Sequence, residues 1–157
     1  MGSEFTMNVA ATSNTSANTD DVFLLIKAAA GLTILVKRVR VSFPATTPAD
    51  WEALVKVTRN SATGAGTTLV GTALKRRQSG PASGSSFGTK STTNSFATGG
   101  LVDTVISAAV NTRSVFEWIA RDEYDYIESP IAASYIAVLV QVSTASYLVN
   151  AEIDWEE

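Results

Sequence analysis

The chain contains neither cysteine nor histidine. Without thiols there are no disulfides and no thiolate metal sites, and the redox compartment is left open. Without imidazole, the most frequent general base and the most frequent metal ligand are both missing. Neither a Ser-His-Asp nor a Cys-His triad can be assembled from these residues. Charge is also sparse. Twelve basic residues against fifteen acidic ones give a net charge of −3, which argues against a nucleic-acid-binding surface spread over the whole protein. Ser129 to Ala151 carries no charge over 23 positions, a length at which a membrane span has to be considered. Pro130, Ser134, Gln141, Ser143, Thr144, Ser146 and Asn150 interrupt it, and its second half alternates, so the expectation is soluble strands and no membrane.

What is present is strand patterning, clearest at the end of the chain. Tyr147, Val149, Ala151, Ile153 and Trp155 occupy every second position, with Leu148, Asn150, Glu152, Asp154 and Glu156 between them. That period of two belongs to a strand with one buried and one wet face. Tyr135 to Val142 is β-branched or apolar almost throughout and reads as a strand covered on both faces. Ser143 to Ser146 is short enough to be a hairpin turn joining the two.

Earlier strands are expected at Val22–Lys27, Leu32–Phe43, Trp51–Arg59 and Thr67–Lys75, then at Leu101–Asn111, Ser114–Arg121 and Tyr124–Ser129. In the second, Val39, Val41 and Phe43 share a face opposite Arg38, Arg40 and Ser42. The unbroken Ile34-Leu35-Val36 there implies a two-sided core or a bulge. Trp51, Ala53, Val55 and Val57 are placed on an inner face, and Trp118 likewise. The sum is an all-β chain: a jelly-roll-like antiparallel β-sandwich of eight or nine strands, in one domain.

Three segments stand outside that pattern. Met1-Gly2-Ser3-Glu4-Phe5-Thr6 reads as translated restriction sites, a cloning scar at 1–6 that puts the native start at Met7. Residues 7–21 are polar and are expected to form a flexible N-terminal arm, leaving 22–157 as the sandwich. Within it, 79–100 is a long Gly/Ser/Thr-rich loop with Phe87 and Phe96 as its apolar anchors and room for a weak strand near either one. A loop of this length is functional or mobile.

Chemistry-bearing clusters are few. Asp122, Glu123, Asp125 and Glu128 supply the carboxylates a calcium loop uses, but without the spacing of the twelve-residue loop. The structural reading is a solvated strand face. Lys37, Arg38 and Arg40, with Lys75, Arg76 and Arg77, are the basic clusters, suited to an acidic partner surface or to pairing with nearby acids. Trp51, Trp118 and Trp155 raise the idea of a sugar-stacking platform; packing in the core is the competing reading for Trp51 and Trp118. No catalytic, cofactor-binding or metal-ligating set emerges, so an enzyme is not expected.

The order of short motifs resembles that of small virion proteins of tailed bacteriophages. The matching pieces are Arg38-Val39-Arg40-Val41-Ser42, Val57-Thr58-Arg59 and Gly64-Ala65-Gly66-Thr67-Thr68-Leu69. Phe116-Glu117-Trp118 and Ile153-Asp154-Trp155-Glu156-Glu157 follow, so that the likeness spans Val22 to Glu157. These proteins are similar to capsid decoration (cement) proteins. The resemblance implies a non-enzymatic protein on the capsid surface of a virion, a homo-oligomer with the trimer favoured. Its partner would be the major capsid protein of a phage head, with no nucleic acid and no cofactor. The alternatives are a fibre, tail or head-tail accessory component, or a carbohydrate-binding β-sandwich module. The resemblance assigns no contact residues. Arg38, Arg40, Lys75, Arg76, Arg77, Phe87 and Phe96 are candidates for partner contact because they are the clustered cations and the loop anchors.

Overall fold

The computed structural model describes residues 3–44, 49–63, 74–75, 82–90, 98–129 and 134–157. Among them the chain is all β apart from one 3-10 turn at Glu123–Asp125. The strands are β1 (Glu4–Ser13), β2 (Asp21–Lys27), β3 (Leu35–Ser42), β4 (Glu52–Thr63), β5 (Leu74–Lys75) and β6 (Ser86–Thr89). They continue with β7 (Thr98–Asn111), β8 (Phe116–Ile119), β9 (Ile127–Glu128), β10 (Tyr135–Val142) and β11 (Leu148–Glu156). One sheet runs β5-β1-β11-β3-β8, with β9 also on β3; the other runs β6-β2-β10-β4-β7. Every pairing is antiparallel.

The long strands pair in reverse order: β1 with β11, β2 with β10, β3 with β8 and β4 with β7. The chain therefore folds as a double ribbon wrapped so that its long strands alternate between the two sheets, except at the β4–β7 pair where the ribbon turns back. The inward positions of both sheets form one core that includes Phe5, Met7, Phe23, Ile26, Val39, Val55, Val138, Ile153 and Trp155.

This arrangement corrects the expected terminal hairpin. β10 and β11 are not hydrogen-bonded to one another; residues 143–147 carry the chain from one sheet to the other. The alternation was read correctly, but a period of two says which face is buried and nothing about which strand is the neighbour. The same holds at Thr112-Arg113, where the turn links β7 to β8 across the sandwich. β10 is covered on both faces as expected: Ile136, Val138, Val140 and Val142 join the main core. Ala137 and Leu139 join a second buried cluster with Val22 and Leu25.

The largest correction concerns the N-terminus. Residues 4–13 are not a free arm but strand β1, lying between β5 and β11 with Phe5, Met7 and Val9 buried at every second position. That alternation is plain once Phe5 is read together with Met7; a boundary drawn between residues 6 and 7 hides it. A bulge opposite Asn150 ends the regular register, and the Asn150 Oδ1 accepts from the Ala11 N–H at 2.6 Å. Asn14 then latches the chain to the sheet crossover. Its Nδ2 donates to the Thr144 carbonyl at 2.7 Å, and its Oδ1 accepts from the Tyr147 N–H at 2.6 Å. Further on, Lys90 is buried, held by Asp21 at 2.8 Å and the Thr15 hydroxyl at 2.9 Å.

The bulge anticipated in the second strand is present. Asp154 faces Arg38 and Trp155 faces Val36, so Lys37 is the extra residue. It lets Val36 and Val39 both point inward, three positions apart, and turns Lys37 and Arg38 together toward the outer face.

Trp155 is the pivot of the core. Its cross-strand partner in β1 is Phe5, stacked at 5.6 Å between ring centroids, and Phe87 of the opposite sheet tilts against it at 5.9 Å. The indole N–H donates to Glu157 Oε1 at 3.1 Å, as a buried tryptophan requires. The same carboxylate accepts from the Ser83 hydroxyl at 2.5 Å and the Gly84 N–H at 2.9 Å. The Glu157 backbone exchanges two bonds with Ser3. Trp51, placed inward from its alternation class, is instead 41% exposed. It precedes the first residue of β4, where the strand no longer dictates which way a side chain points.

Two outcomes follow. Trp155→Ala should cost about 3–5 kcal/mol by chemical denaturation, the cost of a large cavity, whereas Trp51→Ala should cost less than about 1 kcal/mol. Burial pushes the Glu157 carboxyl up, but the Ser83, Trp155, Ser85 and Gly84 donors outweigh it and hold the group below its ordinary 4.5. A depressed carboxylate stabilises the fold above its unfolded pKa and loses that contribution as pH falls through the folded one. Stability should therefore drop as pH falls through and below the ordinary carboxylate range, and the drop should shrink in Glu157→Gln. Denaturation midpoints across that range are the check.

Candidate functional site

The expected contact residues fall in different places. Arg38 is surrounded by acids: its Nε donates to Glu117 at 2.9 Å, and Nη1 reaches Glu152 and Asp154, both at 3.2 Å. Burial acts to lower its pKa, but these carboxylates raise it above its ordinary value. Lys37 beside it bridges Glu4 at 2.8 Å and Glu156 at 2.5 Å. Burial likewise works against its charge, and the two hydrogen-bonded carboxylates overcome that and raise its pKa. The outer face of this sheet thus sets the β3 cations Lys37 and Arg38 among the acids of β1, β11 and β8, with carboxylates in excess. Arg40 differs. It is exposed and makes no ion pair with the described residues, and it borders a shallow polar groove with Asn8, Ser42 and Asn150.

Lys75 lies in β5, beside Phe5 of β1. Arg76, Arg77 and Phe96 lie outside the described residues. Phe87 serves the sandwich itself, half-buried against Trp155. The acidic cluster is engaged locally. Asp122 caps the 3-10 turn by accepting the Tyr124 N–H at 2.9 Å, and Asp125 pairs with Arg121 at 2.9 Å. The Arg121 hydrogen bond holds the Asp125 carboxyl below its usual range. The strand expected over Tyr124–Ser129 is shortened to β9 by this turn. Among the described residues, no group of three or more Asp or Glu side chains is placed to hold a metal ion, and no helix is long and apolar enough to cross a membrane.

A different feature stands out on the side of the sandwich where β7 and β8 end their sheets. The large hydrophobic side chains that remain exposed among the described residues are Trp51, Leu101, Val105, Val115, Ile119 and Tyr124. All six lie on β7, on β8, or beside their ends. Trp51 belongs to this group because its backbone N–H and carbonyl both bond Thr112, the residue after β7. Between the two strands the sheets part into a cleft of about 560 Å3, floored by Ile106, Trp118 and Ile127. Four of its rim charges are paired within the chain, where Arg59 makes a two-bond contact with Asp103 and Arg121 meets Asp125, while Glu128 adds a further carboxylate.

Exposed apolar side chains gathered along one side, among polar and mostly paired charged groups, are how an interaction surface looks. It was missed from sequence because the period of two in β7 and β8 tells which face is buried and not that each strand ends its sheet. One signal was legible: Leu101 to Asn111 carries a single charge, Asp103, unusually few for a strand left at an edge.

Comparison with protein-family models, with curated proteins and with solved structures yields no match.

Proposed function

We propose that this chain is a non-enzymatic structural protein of a virion, a capsid decoration protein that binds the outside of a phage head and stabilises it. The observation that carries the reading is the reverse-order pairing of β1-β2-β3-β4 with β7-β8-β10-β11 in two facing sheets. That winding is what a jelly roll requires, and jelly rolls recur in viral capsid proteins. The motif order that resembles phage virion proteins adds to it. The apolar β7–β8 side supplies a surface with which such a protein could associate. The lattice of Lys37, Arg38 and the β11 acids suits a rigid module whose faces need no partner. Binding the assembled shell and not the free subunit stabilises the shell by mass action. A fibre, tail or head-tail position would draw on the same fold.

The test is co-sedimentation with heads of tailed phages stripped of their decoration proteins, followed by thermal disruption of the loaded heads. The expected outcome is saturable binding at a fixed ratio to capsid subunits and a raised disruption temperature. Binding to isolated tails or fibres would move the protein elsewhere in the virion. Absence of binding to every particle and part overturns the virion reading. A second reading, a carbohydrate-binding module, draws on the exposed indole of Trp51 and on the use of jelly rolls by lectins. Glycan-array binding abolished in Trp51→Ala would favour it.

A further inference from the structure

Among the described residues β7 has β4 as its sole ladder partner, so its other side presents unpaired backbone donors and acceptors. Natural sheets protect such an edge with lysine, proline, bulges or brevity. β7 is fourteen residues long and contains neither lysine nor proline. Its one charge, Asp103, is already neutralised by Arg59. Bulges protect only its first half, where the register with β4 shifts between Val57 and Thr58 and again between Arg59 and Asn60. From Ile106 to Asn111 the register with β4 is unbroken, and the sequence Ile-Ser-Ala-Ala-Val-Asn is uncharged and mostly small.

We infer that Ile106–Asn111 is a self-association edge, where the β7 strands of two copies of this chain pair antiparallel about a two-fold axis and join their sheets into one. The occupant is a second copy because the segment is complementary to itself. An antiparallel continuation keeps each face of the sheet in register, so pairs across the two-fold share a face. Centred on Ala108, it sets Ile106 opposite Val110 and Ser107 opposite Ala109. Ile106 and Val110 are half-buried and already packed against the core, so their contact extends the core across the junction. β-branched cross-strand pairs are favourable and no like charges meet. Ala108 on the axis leaves room for close approach. The contact is isologous and closes at two copies, unlike the trimer implied by the phage resemblance. It does not depend on the virion reading.

The test is solution mass by light-scattering size exclusion and sedimentation from about 1 µM to about 1 mM, on the whole chain. The variant is S107K/A109K. Both positions are exposed, but position 107 lies opposite Lys56 of β4, so the monomer's fold is checked by circular dichroism and thermal midpoint before association is read. Across the two-fold the variant sets an ammonium at 107 directly opposite one at 109 of the second copy, twice over. A dimer in the wild-type protein, weakened at least about tenfold in S107K/A109K and unchanged in Asn8→Lys on the exposed face of β1, is the expected result. A wild-type protein that stays monomeric throughout overturns the inference. So does a trimer, or an oligomer that the double variant leaves intact. Head binding is read separately, so loss of one proposal leaves the other standing.

Discussion

The structure depends on the packing of Trp155. It sits on the last long strand, stacks on Phe5 of the first, and meets Phe87 from the facing sheet. A ring of that size buried between two sheets sets their spacing locally and couples three segments remote in sequence. Its one polar atom is satisfied by Glu157, whose carboxylate also gathers the Ser83 hydroxyl and the Gly84 N–H. Burial would disfavour that carboxylate were it not so well supplied with donors. The ends of the chain and the middle loop are therefore fixed by a single cluster, in which the apolar and polar parts rely on each other.

The two sides of the sandwich follow opposite strategies. On the outer face of the sheet containing β3, each cation but Arg40 is met by carboxylates supplied from β1, β8 and β11. The Lys37 bulge makes this possible by turning two adjacent residues outward. Exposed pairs of this kind add little stability individually; their effect is to hold both cations in place on a face where carboxylates outnumber them. At the β7–β8 side large hydrophobic side chains are exposed, and Arg59 and Arg121 are paired with Asp103 and Asp125. A protein that spends its polar residues on one face and leaves hydrophobics along one side has a direction, and that direction is the basis for reading it as a component of an assembly.

Much of the fold was legible in the residues. Val22–Lys27, Val39 and Val41, Ala53 to Val57, and the double-faced burial of Tyr135 to Val142 all follow from hydrophobic period and β-branching. The bulge, one of two readings of the unbroken Ile34-Leu35-Val36, is present just after that run, at Lys37. The N-terminal strand was lost for a different reason. Glu4-Phe5 looks like a vector remnant, and treating it so removed the residue that makes Phe5, Met7 and Val9 an obvious series. The acidic cluster was expected as a strand because Tyr124 and Tyr126 alternate with the acids. The local bonds of Asp122 and Asp125 bend it into a turn instead.

By itself the sequence determined class and facing: an all-β chain, free of histidine and cysteine, with most inward side chains identifiable. Those properties are local, since a strand's period is set by its own backbone geometry. Which strands are neighbours was decided only by the tertiary structure. Two consecutive strands with matching patterns can pair as a hairpin or separate into opposite sheets, and only the summed packing of the whole core distinguishes them. Hence the supposed terminal hairpin became a crossover, and β7 and β8, consecutive in the chain, came to end opposite sheets along the side where hydrophobic side chains are exposed. The site was invisible in the residues because none of them is unusual; what sets them apart is their shared location.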